Sequence, residues 1–245
     1  MENALLVGLS RQITLQRNLE VIANNVANMN TTGFKARTVN FEEFISPTAR
    51  ADTLPSTNRR VSYVADQGTD LDLSNGAVEQ TGNPLDIALR ENVLLGVETQ
   101  SGFRYTRNGS LSLNETGTLV TSDGERVLVG GGPIQLNPGK TGVHFSPDGT
   151  IETDDGPIGR LELYEVTDPS QLTNLGANTY GSRTQLPEAN SPRIVPGALE
   201  RSNVQPIIEM SRLIEVNRAY SSLASMQQRL DETRRSAVER LATVQ

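Results

Sequence analysis

Both ends of this 245-residue chain carry helical periodicity, while sixteen of its 21 glycines fall between Gly68 and Gly159. Glycine in a helix interior costs roughly 1 kcal/mol relative to alanine, so this partition keeps long helices at the extremities and turn-rich structure between them. In the middle, Asn75-Gly76, Asn108-Gly109, Asp123-Gly124, Asp148-Gly149 and Asp155-Gly156 are hairpin-type dipeptides. Strand-like segments run between them at Leu85–Leu89, Val93–Thr99, Leu111–Leu113, Leu119–Thr121, Arg126–Val129 and Arg160–Val166. Short strands at near-regular spacing predict a compact all-β domain of sandwich or barrel type over residues 76–185. The fold class expected for the whole chain is α+β.

In the first arm, Leu5, Leu6, Leu9 and Ile13 make one apolar stripe, and Leu15, Leu19, Ile22 and Val26 make a second, rotated around the helix. A stripe that moves round a helix predicts packing against more than one neighbour; a weakly amphipathic helix that frays is the open alternative. The second arm begins at Pro206, where a missing N–H costs nothing. Steps of three and four residues give Leu213, Val216, Tyr220, Leu223, Gln227, Leu230, Arg234, Ala237 and Leu241, a coiled-coil-like seam that Ile207, Met210 and Ile214 are expected to widen. Ordering a residue costs about 1–2 kcal/mol and burying an apolar side chain returns about 1.5–3, so neither arm is stable alone. Residues 36–75 read as an extended connector and 186–198 as a Pro-rich return linker; disordered linkers in the isolated chain are the alternative.

Composition narrows the function. Residues 1–30 are neutral, residues 207–245 carry +1, and the middle holds −8 of the net −7, so no basic face for nucleic acid is expected. No cysteine is present, which excludes a disulfide framework and thiolate metal sites. Glu2, Arg11, Arg17 and Glu20 interrupt any signal-peptide pattern, and no apolar run is long enough for membrane insertion. His144 is the single histidine, and it sits in a strand-like segment without a nucleophile elbow. Gly130-Gly131-Gly132-Pro133 is followed by no helix and so forms no phosphate cradle, while turn chemistry accounts for Asp148, Asp154 and Asp155. No catalytic residue, cofactor or metal site is therefore expected.

Four motifs, in order, carry a family resemblance. Asn24-Asn25-Val26-Ala27-Asn28-Met29-Asn30-Thr31-Thr32-Gly33-Phe34-Lys35 resembles the N-terminal signature of bacterial flagellar axial proteins of the rod and hook class. Leu199-Glu200-Arg201-Ser202-Asn203-Val204, with Glu209-Met210 and Glu215-Val216-Asn217-Arg218-Ala219-Tyr220, resembles their C-terminal signature. Thr81-Gly82-Asn83-Pro84-Leu85-Asp86-Ile87-Ala88 and Tyr105-Thr106-Arg107-Asn108-Gly109-Ser110 resemble core segments of the same class. The opening Met1-Glu2-Asn3-Ala4-Leu5 and the overall length are most similar to its proximal-rod members. One departure stands out: where relatives carry a Gly-x-Gly-Phe-Phe run, this chain has Arg90-Glu91-Asn92-Val93-Leu94-Leu95-Gly96, which puts the local turn and its aromatic packing in question.

The resemblance implies that residues 1–35 and 199–245 pair into a helical inner domain with the β-domain outside it. It also implies that subunits stack helically around an export channel. The subunit interface is then expected at Leu5, Leu9, Ile13, Leu19, Ile22, Asn24, Asn25, Val26, Asn28, Asn30, Gly33 and Phe34, and at Asn203, Val204, Leu213, Val216, Arg218, Tyr220, Leu223, Leu230 and Leu241. The Asn-rich run would stop the helix, with Asn and Gly33 tolerating left-handed backbone and Asn side chains bonding main-chain groups between subunits. The implied job is a non-enzymatic structural subunit of the rod, carrying torque across the periplasm. Implied partners are copies of itself, neighbouring proximal-rod subunits, the distal-rod protein FlgG and the flagellar type III export apparatus, with export that cleaves no signal. A distal-rod or hook subunit is the alternative within the class, and a secreted β-domain adhesin or cell-wall enzyme the alternative outside it.

Overall fold

The computed structural model describes residues 2–46, 61–136, 142–190 and 192–242, and the fold is α+β. Two long helices stand at the ends, α1 (Glu2–Ala27) and α2 (Pro206–Ala242), with Pro206 as the first helical residue of α2. After the first helix come β1 (Arg37–Ser46) and β2 (Val61–Leu71), followed by β3 (Val78–Gln80), β4 (Ile87–Leu89), β5 (Val93–Thr99) and β6 (Gly102–Thr106). Next are β7 (Leu111–Leu113), β8 (Leu119–Thr121), β9 (Arg126–Val129), β10 (Gly132–Pro133), β11 (His144–Phe145) and β12 (Thr150–Thr153). The last strands are β13 (Gly156–Arg160), β14 (Leu163–Glu165), β15 (Leu172–Gly176), β16 (Thr179–Ser182), β17 (Ile194–Pro196) and β18 (Ala198–Glu200).

The chain divides into two compact units. The first comprises Met1–Val26, Arg37–Asp70 and Pro206–Gln245; the second comprises Ala27–Ala36 and Leu71–Gln205. In the first, β1 and β2 pair into a two-stranded sheet. The connector expected over 36–75 is thus partly paired strand: β1 holds Thr38, Val39, Phe41, Phe44 and Ile45, all good strand formers. The rest of its low-propensity stretch, residues 47–60, lies outside the described residues.

The second unit is built on a nine-stranded sheet with the order β15-β16-β6-β5-β9-β8-β7, to which β10 adds on β9 and β14 on β5. This path is open, and no pairing closes it into a barrel among the described strands. At its centre β5 is buried on both faces, as a continuous apolar run requires. Val93, Leu95 and Val97 join one core cluster with Leu119, Val127, Phe145 and Ile151. Leu94 joins the other with Tyr105, Tyr164 and Tyr180. Gly96 is obligatory there, because a Cβ would stand 2.8 Å from the Tyr164 ring. The departure at residues 90–96 is resolved in the same place. Glu91 takes the turn with φ 56°, a left-handed conformation, and aromatic packing comes instead from Phe103, Tyr105 and Tyr164, mutually edge-on at 4.8–5.6 Å.

Three of the five turn dipeptides make hairpins: Asp123-Gly124 joins β8 to β9, Asp148-Gly149 joins β11 to β12, and Asp155-Gly156 joins β12 to β13. The two Asn-Gly steps do not. Gly109 is set so closely that a Cβ would collide with Ile87 O, and at Gly76 it would collide with Arg201 O. The return segment 186–198 is not a bare linker either. Ile194–Pro196 pairs antiparallel with β4, leaving Pro196 on an edge where its absent N–H is tolerated. Residues Ala198–Glu200 then pair with β3.

Candidate functional site

The helical unit has a buried stripe and a surplus of exposed apolar surface. Along α1, Gly8, Gln12, Leu15 and Leu19 are half-buried and Ile22 is buried, at steps of four and three residues. On α2, Leu213, Val216, Tyr220, Leu223 and Gln227 are half-buried at the same steps. The stripes meet where Gln12 Nε2 donates to Tyr220 Oη at 3.1 Å and where a Cβ on Gly8 would stand 3.0 Å from Gln227 Nε2. Numbers that rise on one helix fall on the other, so the pair is antiparallel.

Outside those stripes, Leu9 and Ile13 remain 51% and 59% exposed. The residues expected to widen the seam instead point away from it: Ile207 is 82% exposed, and Met210 and Ile214 are also solvent-facing. The reason is angular. Positions 207, 210 and 214 form a stripe about 120° from 213 and 216. Met226, Leu230 and Arg218 are exposed as well. The side chains of Leu5 and Leu241 lie outside the described ones.

The asparagines have specific work within one chain. Asn25, buried, accepts the Arg37 N–H on Oδ1 at 3.0 Å and donates Nδ2 to Arg37 O at 2.9 Å and to Glu209 Oε2 at 3.3 Å. One amide thus fixes the end of α1, the start of β1 and the first turn of α2. Glu209 is itself buried and also receives Arg212 at 3.0 Å. In the second unit Asn203 Oδ1 accepts the Ala36 N–H at 2.7 Å while Nδ2 donates to Asp72 O and Ser74 O at 2.9 and 3.1 Å. Within the single chain, Asn25 and Asn203 thus bond main-chain groups and a carboxylate of their own units. Asn24 and Asn30 are exposed, and Asn28, Val26 and Leu19 are half-buried. Helix α1 does end inside the Asn run, but the left-handed residue of that segment is Gly33 (φ 65°), and none of its asparagines adopts that conformation.

Gly33, Phe34 and Val204 are buried in the β-rich unit. A Cβ at Gly33 would collide with Arg107 O, and the Gly33 N–H donates to Glu200 O at 2.8 Å. This close approach brings three motifs onto one buried charge cluster. Glu200 Oε1 accepts from Lys35 Nζ at 2.7 Å, and Oε2 accepts from Arg107 Nε at 2.6 Å; all three side chains are at most 2% exposed. Arg107 spends its remaining donors on Glu91 O, Val93 O, Leu89 O and Asn75 Oδ1, at 2.5–3.0 Å. Lys35 Nζ also reaches Ser74 O at 2.7 Å, and Gly76 N–H reaches Glu200 Oε1 at 2.8 Å. Burial lowers the Lys35 pKa, and the Arg107 charge adds to that shift against the pull of Glu200. At Glu200 burial opposes ionisation, but Arg107 and the two hydrogen bonds outweigh it and hold the carboxyl below its usual range. Sequence reasoning passed over Lys35, Arg107, Glu200 and Glu209 as site residues; the available signal was a charge inside each otherwise apolar or Asn/Gly-rich motif.

The chemistry of this arrangement is cohesion. His144 lies across the β11–β12 pair from Glu152, with Nε2 at 3.3 Å from Oε2, while Ser146 Oγ donates to Glu152 Oε1 at 2.6 Å. The serine and the imidazole therefore bond the same carboxylate rather than each other, the wrong order for proton abstraction from serine. Asp148 is occupied by its own turn, its carboxyl lowered by hydrogen bonds from Thr150.

A helix pair made from the two chain ends, with apolar surface to spare, and a β-rich unit closed by a charge cluster define an assembly-subunit class. The chain belongs to the flagellar basal-body rod protein family. Residues 5–35 match the flagella basal body rod protein model, residues 93–153 the flagellar hook protein FlgE/F/G D1 domain, and residues 195–240 the C-terminal model of flagellar basal body rod FlgEFG proteins. The chain is 40% identical to the flagellar basal-body rod protein FlgF of Caulobacter vibrioides over 250 residues, covering 100% of both. It is 34% identical to FlgF of Mesorhizobium japonicum over 99% of each chain. With FlgG of Bacillus subtilis the identity is 31%, covering 91% of this chain and 92% of that one.

Proposed function

We propose that this protein is a non-enzymatic structural subunit of the flagellar rod, in the proximal, FlgF-like position. The carrying observation is the exposed apolar surface of the helical unit: Leu9 and Ile13 on α1, and Ile207, Met210, Ile214 and Met226 on α2. Apolar side chains left in water after the helices have paired are surface for further copies. In this reading α1 and α2 pair in a coiled-coil-like register, and the pair forms the inner, axial wall around the export channel. The interface includes the exposed Asn24, Asn30, Arg218 and Leu230 along with the apolar stripes. Neighbours are copies of this chain, other proximal-rod subunits and the distal-rod protein FlgG. The chain reaches the periplasm through the flagellar type III export apparatus without cleavage, and the finished rod transmits torque. Greater identity to the FlgF relatives than to FlgG favours the proximal over the distal position.

The test is complementation of a strain lacking the gene by a Leu9→Asp, Ile13→Asp double variant. Both side chains face solvent in the single chain, so the purified variant should keep its circular dichroism and still leave cells non-motile, because a buried unpaired charge blocks the interface. Full motility with this variant would remove the stripe from the interface.

A further inference from the structure

The two Asn-Gly steps sit in contrasting surroundings. Asn108 is buried with its amide engaged at both ends: Oδ1 accepts the Ser110 N–H at 3.1 Å, and Nδ2 donates to Ser122 Oγ at 2.8 Å. Asn75 is exposed, and its Oδ1 accepts from Arg107 Nη2 at 3.0 Å. The N–H of the next residue, Gly76, donates to Glu200 Oε1 at 2.8 Å. A nitrogen hydrogen-bonded to a buried carboxylate, beside a carbonyl oxygen held by a buried guanidinium, places a proton acceptor and an oxyanion donor at one dipeptide. Nucleophile and electrophile belong to one dipeptide, so their encounter is intramolecular, and Gly76 has no Cβ to obstruct it. The charges point the same way. Lys35 and Arg107 outnumber Glu200 in the buried cluster, where Asp72 adds a further negative charge felt by Lys35, and a carboxylate at residue 75 would lie against Arg107.

We propose that Asn75-Gly76 is a self-processing modification site, at which the folded β-rich unit converts Asn75 to an aspartyl or isoaspartyl residue. The Gly76 nitrogen adds to Asn75 Cγ as Glu200 takes its proton, and the oxyanion formed on Oδ1 faces Arg107. The Cγ–Nδ2 bond then breaks, and the proton held by Glu200 leaves with Nδ2 as ammonia, closing a five-membered succinimide. Water opens that ring: attack at Cγ gives an aspartyl residue, and attack at the Asn75 main-chain carbonyl gives the isoaspartyl linkage. The only co-reactant is water, and the product carboxylate stays against Arg107.

The experiment uses the full chain extracted in urea, with half refolded and half kept unfolded at neutral pH, followed by peptide mass spectrometry over days. Conversion at Asn75 should be at least about tenfold faster in the folded half, in keeping with an oxyanion donor held on Oδ1, while folded Asn108 stays intact. Asn75→Gln, which keeps an acceptor oxygen for Arg107 but would have to close a larger ring, should abolish conversion at that position. Because Arg107 and Glu200 variants risk failing to fold, the charge argument is tested with Asn75→Asp, whose urea midpoint should equal or exceed that of the parent. Conversion in the folded half no faster than in the unfolded half, or a lowered midpoint for Asn75→Asp, overturns the proposal.

Discussion

At the scale of single residues, Glu200 closes the β-rich unit. It is the one carboxylate between two buried cations, and its backbone and both side-chain oxygens receive bonds from residues 33, 35, 76 and 107. Removing one partner of a buried ionic cluster leaves uncompensated charge and costs about 3–5 kcal/mol. Glu200→Gln should therefore lose stability of that order in urea denaturation, whereas the exposed pair Arg201–Glu79 next to it should be worth far less on mutation. The pH dependence follows in sign. A carboxyl held below its ordinary value of 4.5 in the folded state contributes stability that is complete above that value and lost as pH falls below it. Lys35 is lowered from 10.5, so in the alkaline window between its folded value and 10.5 it makes stability rise with pH. A denaturation series in Glu200→Gln should lack the acid-side loss that this carboxyl contributes; an unchanged acid limb would contradict the assignment.

At the scale of elements, the sequence was most legible where periodicity was strong. Helices at both ends, Pro206 opening the second, and the strand pattern over Val93–Thr99 and Leu111–Val129 follow from apolar spacing and turn residues. The seam Leu213–Val216–Tyr220–Leu223–Gln227 is the half-buried stripe of α2. What remained illegible has physical reasons. Ile207, Met210 and Ile214 look continuous with that stripe in one dimension but are rotated off it, and only the partner helix selects between neighbouring stripes. The Asn-Gly steps look like hairpins but serve close backbone approach at Gly76 and Gly109, which depends on chain segments far away in sequence. Lys35, Arg107 and Glu200 lie 72 and 93 residues apart, and no local pattern reports that they meet. The distinction between stripes is testable. Leu223→Asp, on the seam, should destabilise the helix pair itself and reduce helical circular dichroism, whereas Ile214→Asp should leave the isolated chain unchanged and act only on assembly. Equal loss of helicity in both variants would mean that the stripes are not distinct.

At the scale of the whole molecule, the two units differ in what holds them. The β-rich unit has two apolar clusters and the buried ionic cluster. The helices share a seam that is mostly half-buried, closing on buried Ile22, Asn25 and Glu209, and leave large apolar side chains in water. Isolated helices gain most of their stability from packing, so the arms are poised to gain more on polymerisation. Amide exchange in the isolated protein should then be fast over residues 1–30 and 207–245 and slow in the β-strands. Strong protection of both arms at every protein concentration would contradict that division. The central claim, a structural subunit of the rod, is tested most directly by deleting the gene in its host and imaging purified basal bodies. The account predicts rods that stop before the distal segment, with no hook and no motility; complete, rotating flagella in the deletion strain would contradict it.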